Sequence, residues 1–342
     1  MKYRLMGRTG LYVSEISLGA MTFGGSGPIW DMVGGLGVAD SERIVGTALD
    51  GGVNLIDTAD GYGDGESEEQ LGTILRGRRE DVILTTKAHA RTGPGPNDVG
   101  QTRLHLMRNL EQSLRRLRTD YIDVYMMHNF DHLTPFEETL RTLDDAVHQG
   151  KIRYIAAANL SAWQVSKALG VSGRLNLNGF AALQSYYSLV GRDAERDIIP
   201  MVLDEGVGLF VWAPLAAGFL TGKFNRDASD SNGRRGSEGF PDFPPVDHSR
   251  GYDILDVVRT IAQRYDASIA QVSLAWVLAK PGVTSVTVGA RKPHQLTDNL
   301  GAIDLTLTEQ DLAELDEISK PAPSYPNWVQ SGFYRDVRYP QQ

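Results

Sequence analysis

The stretch NLIDTADGYGDGESEEQLG, residues 54–72, changes character twice. It opens on an apolar run with strand-like composition, passes through Gly61, Gly63 and Gly65 at alternate positions, and closes on a segment with helical spacing. A strand that runs through a loop into a helix is one unit of an α/β fold. The unit recurs. Strand-like runs fall at residues 16–18, 54–56, 82–86, 122–127, 152–157, 180–183, 208–211 and 283–288, with helical patterns between them.

In DSERIVGTALDGG, Ile44, Val45, Ala48 and Leu49 share one face, Asp40 or Ser41 is placed to cap, and Gly51 and Gly52 stop the helix. Residues 102–117 repeat the pattern, with Leu106, Leu110, Leu114 and Leu117 in a stripe and Arg115, Arg116 and Arg118 near the negative end of the helix dipole. A hairpin comes first, with RTG at residues 8–10 as its turn. Alternation of this kind without a boundary-like linker predicts a single domain over residues 1–342. Its fold class is a (β/α)8 TIM barrel with an N-terminal β-hairpin and extra helices. A doubly wound open sheet is the competitor, but no G-x-G-x-x-G turn follows the first strand.

Two segments break the rhythm. Residues 223–251, rich in Gly, Pro, Ser and Asp, predict a long loop after strand seven. The tail, residues 320–342, carries Tyr325, Trp328, Phe333 and Tyr334, and serves either as a strap on the barrel wall or as a flap over the site.

Composition narrows the chemistry. The 342 residues are 41% hydrophobic with a formal charge of −9, and no Lys/Arg cluster offers a nucleic-acid footprint. With no cysteine there is neither a thiol nucleophile nor a thiolate metal site, and no metal ligands are assigned. The first residues lack the apolar core of a secretory signal, and the apolar stretch at 207–220 is broken by Pro214 and Gly218 and falls short of the ~20 residues that span a bilayer. A cytoplasmic address with no membrane partner is expected.

In a barrel, side chains at the carboxyl ends of the strands converge on one face. The second strand ends at Asp57, the third at Lys87 and the fourth at His128, with Tyr62 in the loop just beyond Asp57. Singly these are a cap, an outward-reaching lysine and a core histidine; at equivalent positions of adjacent strands they predict a site. Asp57 would hold the Lys87 ammonium. That ammonium would lower the Tyr62 phenol from about 10, so that Tyr62 donates a proton to a carbonyl oxygen which His128 orients. Nothing in the quartet supplies electrons, so a hydride donor is required. The acids Asp60, Asp64, Glu66, Glu68 and Glu69 would repel a phosphate from the glycine loop, which reads as a display loop for Tyr62.

Asn159, Gln184 and Trp212 stand at the next strand ends, two amides suited to a carboxamide and an indole suited to stacking. After strand eight, Gly289, Arg291 and Lys292 precede a helix whose start can face an anion.

These segments, with ILTTK, EQSLRRLRTDYIDVYMMHNFD, GKIRYIAAANLS, FVWAPLAAGFLTGKF and VTVGARKPHQLTDNLGA, resemble the successive signatures of the aldo-keto reductases. The resemblance covers essentially the whole barrel. It implies an NADP(H)-dependent reductase with Asp57, Tyr62, Lys87 and His128 as the catalytic tetrad. By the same carry-over Asn159 and Gln184 hold the carboxamide, Trp212 stacks on the nicotinamide, and Leu215, Gly218, Leu220, Gly222 and Lys223 line the pyrophosphate. Arg291, Gln295, Asp298 and Asn299 match the pattern around the adenosine 2′-phosphate, which favours NADP over NAD. Ala158 and Ala213 stand where the family usually has serine; one lost hydrogen bond costs about 0.5–1.5 kcal/mol, at most roughly tenfold in cofactor affinity.

The expected partner is a small carbonyl or alcohol substrate, with no nucleic acid. Phe23, Trp30 and Met32 after strand one would help shape an apolar mouth for an aldehyde, ketone or sugar-like ring. The resemblance also admits a regulatory subunit that keeps the cofactor as a ligand, as potassium-channel β subunits do. No oligomeric state follows, because apolar outer helices serve packing and association alike.

Overall fold

The computed structural model of the chain describes residues 1–224, 226 and 242–332. Two short strands, β1 (Tyr3–Leu5) and β2 (Tyr12–Ser14), form the antiparallel hairpin. Eight parallel strands follow: β3 (Ile16–Gly19), β4 (Leu55–Asp57), β5 (Ile83–Ala88), β6 (Ile122–Met127), β7 (Ile152–Ala158), β8 (Ala182–Tyr186), β9 (Gly208–Trp212) and β10 (Val283–Val288). They close into a barrel in sequence order, with β10 pairing back onto β3.

Helices α1 (Pro28–Val33) and α2 (Val38–Asp50) follow β3, and α3 (Glu66–Ile74), α4 (Arg103–Leu117), α5 (Phe136–His148), α6 (Ala162–Leu175) and α7 (Ile198–Glu205) follow the next five strands in turn. After β9 come α8 (His248–Arg264) and α9 (Ile269–Leu278), and after β10 come α10 (Pro293–Leu300), α11 (Glu309–Ile318) and α12 (Asn327–Gly332). Among the described residues no helix is long and apolar enough to cross a membrane.

Two cores hold the wall. Side chains on a strand alternate faces, so one set points outward to the helices and the other into the lumen. The outer core is continuous from Ile16 to Leu315. The lumen is filled by Leu55, Val124, Met126, Ala156, Ala182 and Phe210, and the hairpin pushes Met6 and Val13 into it from below. Arg4 fastens the hairpin through Glu15 and the Val283 and Leu278 carbonyls. The plugged end is therefore the N-terminal end of the strands, and the open end is where the chemistry-bearing residues lie.

Local details depart from the sequence pattern. The N-cap of α2 is Gly37, not Asp40 or Ser41; Asp40 falls in the first turn and Ser41 is buried. Thr102 caps α4, accepting from the His105 amide at 3.3 Å. The predicted loop 223–251 ends early, because Asp247 caps α8 and the helix begins at His248; residues 225 and 227–241 of that loop lie outside the described residues. Phe23 is fully buried and does not line a mouth. In the tail, Asn327 Nδ2 donates to the Arg196 carbonyl at 2.9 Å, in the segment between β8 and α7, so this part of the tail reaches the open end of the barrel. Phe333 and Tyr334 lie outside the described residues.

Candidate active site

The alternation that fills the lumen also selects the site. Leu55 points inward, so Asp57 two positions on does too, and the same parity carries from Val124 and Met126 to His128, from Ala156 to Ala158, from Ala182 to Gln184 and from Phe210 to Trp212. On β3 the residue paired with Asp57 is Gly19, which places no side chain there; a Cβ on it would press against the Thr287 methyl at 3.0 Å.

Lys87 is fully buried at the centre of the group. Its Nζ donates to Asp57 Oδ2 at 2.7 Å, to the Thr58 carbonyl at 2.8 Å and to the Tyr62 hydroxyl at 3.3 Å. Asp57 is held from its other side by Thr85 Oγ1 at 2.5 Å. The Tyr62 ring stands edge-on to the His128 imidazole, with centroids 5.7 Å apart and planes at 78°. Four side chains between positions 57 and 128 thus meet around one phenol oxygen and one imidazole.

The Tyr62 loop is shaped by close approach. Gly63 has φ +58°, and a Cβ on it would lie 2.8 Å from the Gly25 amide nitrogen, so only glycine lets the two loops touch. Glu66 adds a tie, accepting from the Gly25 amide at 2.7 Å.

Electrostatics set the protonation states. Burial pushes the Tyr62 phenol up, Lys87 pulls it down and Asp57 pushes it up again; the net direction is upward. The sequence-based expectation of a lowered phenol is corrected here: the ammonium acts as expected, but desolvation outweighs it. Burial alone would lower Lys87, yet Asp57 and Tyr62 carry its ammonium above the ordinary range. Burial, with Lys87 and His89 nearby, drops His128 to about 3. At neutral pH the site therefore holds a protonated phenol, an ammonium ion-paired with Asp57, and a neutral imidazole.

The residues assigned to a nicotinamide cluster beside this quartet. Gln184 is 4% exposed and its Nε2 has no hydrogen-bond partner among the described residues. Trp212 stacks on Phe243 at 5.6 Å with planes 17° apart, and Tyr186 packs against it at 5.2 Å. A buried amide donor without a partner, beside an indole that already accepts a flat ring, fits a carboxamide-bearing heterocycle. Asn159, at φ +59°, is committed within the protein: its amide bridges Trp212 and the His128 carbonyl.

Leu215, Gly218 and Leu220 lie in the tight turn after β9, where the Leu215 carbonyl accepts from the Gly218 and Leu220 amides at 3.0 and 3.1 Å. Gly218 faces the Lys223 ammonium, and Gly222, at φ +79°, is pressed against Ile269. Beyond β10, Gly289 follows the strand and Arg291 is exposed, its guanidinium bonded to the Met32 carbonyl. Gln295 accepts from the Arg291 and Lys292 amides at 3.0 and 3.2 Å, so it already satisfies the start of α10. Asp298 takes Ser268 Oγ at 2.8 Å, and Asn299 is 6% exposed. Arg291 is thus the accessible charge of that group.

Sequence reasoning missed what lies behind Tyr62. Asp60 and Glu68, counted in the sequence among acids that would repel a phosphate, are buried, with Arg116 reaching Glu68 at 2.7 Å from α4. The signal was present as two acids at strand-end and helix positions and an arginine on the helix that carries the Leu106 stripe.

Comparison with known proteins agrees with the geometry. The model of the Aldo/keto reductase family matches residues 15–320. A probable voltage-gated potassium channel subunit beta of Arabidopsis thaliana is 34% identical over 336 residues, covering 95% of this chain and 99% of that protein. The uncharacterized oxidoreductase YrpG of Bacillus subtilis (strain 168) is 34% identical over 334 residues, 93% of this chain and 96% of its own. Versiconal hemiacetal acetate reductase of Aspergillus parasiticus is 32% identical over 354 residues, 95% and 99% respectively. With its barrel, its strand-end quartet and a family match spanning nearly the whole sequence, this chain belongs to the aldo/keto reductase family.

Proposed function

We propose that this protein is an NADP(H)-dependent oxidoreductase that reduces an aldehyde, ketone or sugar-like carbonyl to an alcohol, acting as one barrel-sized domain in the cytoplasm. The observation that carries the proposal is the position of Lys87 Nζ, bonded to both Asp57 Oδ2 and the Tyr62 hydroxyl.

When bound, reduced nicotinamide adenine dinucleotide phosphate would supply the hydride, the one reactant that side chains lack. Gln184 would hold its carboxamide, Trp212 its ring, the turn after β9 with Lys223 its pyrophosphate, and Arg291 its 2′-phosphate. Tyr62 keeps its proton at neutral pH and gives it to the carbonyl oxygen as charge develops there. Lys87 then steadies the phenolate left behind, and Asp57 keeps Lys87 charged and aimed. His128, neutral, donates a single N–H toward the carbonyl oxygen and fixes its direction.

A second reading, a cofactor-binding regulatory subunit without significant turnover, draws on the similarity to the probable channel β subunit of Arabidopsis thaliana. Following NADPH absorbance at 340 nm against a panel of carbonyl compounds separates the two. Repeated turnover supports the reductase; a bound cofactor with no turnover on any member would leave the regulatory reading in its place.

A further inference from the structure

A second set of buried ionisable groups lies outside the barrel wall, between β5 and β6 and helices α3 and α4, and the chemistry above leaves it unused. Asp60 is 2% exposed, while Glu68, His105 and Asn109 are fully buried. Glu68 is well paired, taking Thr86 Oγ1 at 2.6 Å and Arg116 Nε at 2.7 Å. Asp60 is not. Its Oδ2 lies 3.1 Å from the Asn109 amide, and its Oδ1 has no hydrogen-bond partner among the described residues.

The direction of the chain leaving Asp60 follows from its far end. The Ala90 carbonyl can only accept, so His105 Nε2, 3.2 Å away, carries the proton of the neutral ring. The same Nε2 lies 2.8 Å from the Asn109 amide, so its one N–H is shared between the Ala90 carbonyl and that amide, which must then present its oxygen. A half-turn of the amide supplies it. Asn109 Oδ1 then faces both His105 Nε2 and Asp60 Oδ2, and an acceptor facing a carboxyl oxygen requires that oxygen to bear a hydrogen. In the opposite orientation Nδ2 donates to both neighbours, which leaves a bare Nε2 lone pair against the Ala90 carbonyl in a buried site.

We propose that Asp60 is held as a neutral carboxylic acid donating to Asn109, and that in this form it is a positioning residue for Tyr62. The second half of this statement rests on the assignment of Tyr62 as proton donor. Burial and the Glu68 charge push Asp60 up to about 7, against the pull of Arg116 and of the Gly61 and His89 backbone amides. Glu68 faces it from α3, Arg116 and, through Asn109, His105 from α4, and Tyr125 from β6, while the Gly61 and His89 contributions come from their backbone amides. Asp60 and Tyr62 share one loop, pinned where the Asp60 amide donates to the Lys87 carbonyl at 3.0 Å. A charge on Asp60 raises the Tyr62 phenol further and makes it a poorer acid. Rising pH thus ionises Asp60 and slows proton donation.

The test compares wild type with Asp60→Asn, which keeps the shape and is neutral at every pH. In wild type kcat/KM for carbonyl reduction should fall to a lower plateau as pH passes about 7, by about tenfold or less; Asp60→Asn should keep the upper plateau through that range. Identical profiles would overturn the positioning role. Infrared spectra of the wild-type protein should show a protonated carboxyl band below neutrality that bleaches above it; a wild type without that band overturns the neutral acid even if the variant does not fold. The infrared measurement needs no turnover, so it stands or falls separately from the reductase assignment.

Discussion

Trp212 and Asn159 are joined across the mouth of the barrel: the indole Nε1 donates to the amide Oδ1 at 3.0 Å, and the amide Nδ2 donates in turn to the His128 carbonyl at 3.0 Å. Both polar ends of Asn159 are therefore occupied by the protein itself. Gln184, on the strand between, keeps a buried donor in reserve.

Gln184→Leu should weaken NADPH binding by about tenfold, the value of one hydrogen bond to a buried group. The melting temperature should barely move, because Nε2 has no partner among the described residues to lose. Fluorescence titration and a thermal melt check both halves; an unchanged Kd assigns the carboxamide to another residue.

Tyr62→Phe keeps the ring that packs edge-on to His128 and removes only the hydroxyl. Lys87 retains Asp57 and the Thr58 carbonyl. Reduction should drop by roughly 10²–10⁴, while NADPH affinity holds. Persistent activity in stopped-flow turnover means that the phenol is not the acid.

Lys87→Met leaves the Asp57 carboxylate buried with Thr85 Oγ1 as its remaining side-chain partner among the described residues. Stranding one member of a buried pair costs about 3–5 kcal/mol. Urea unfolding should show a loss of that size, and the double variant Asp57→Asn/Lys87→Met should recover part of it. A single variant as stable as wild type would mean that the pair is solvated.

His128 titrates near 3 in the folded chain against an ordinary 6.5. Below 6.5 the unfolded chain binds a proton that the folded chain refuses, so stability falls as pH drops from 6.5 toward 3 and is unaffected by this group above that window. The loss at the acid end is on the order of a few kcal/mol. His128→Gln should flatten the dependence in denaturant titrations run at a series of pH values.

Arg291→Ala should weaken NADPH far more than NADH, because a 2′-phosphate pairs with a guanidinium and a ribose hydroxyl does not. Equal losses for the two cofactors, read by the same titration, would remove the basis for the NADP preference.

The barrel was legible in the sequence because its evidence is local. Each strand is a short apolar run bounded by turn residues, and alternation within the run decides that Asp57, Lys87 and His128 share a face. What escaped was set by distant partners. The acids of the 57–70 segment were read as free charge, whereas Glu68 is neutralised by Arg116, a helix away. The Tyr62 shift depends on how far burial outruns the Lys87 charge, which no residue spacing records. Helix ends erred where a glycine did the work of a side chain, as Gly37 does for α2.

Because β10 seals the ring against β3, biosynthesis leaves the first strand waiting until residue 288 has left the ribosome. Through that interval both margins of the growing sheet are unpaired and open to adhesion with other nascent chains. The hairpin plug reaches its Val283 and Leu278 anchors equally late. Truncation before the last strand should therefore abolish soluble product outright, even though the whole proton-handling quartet has been translated by residue 128.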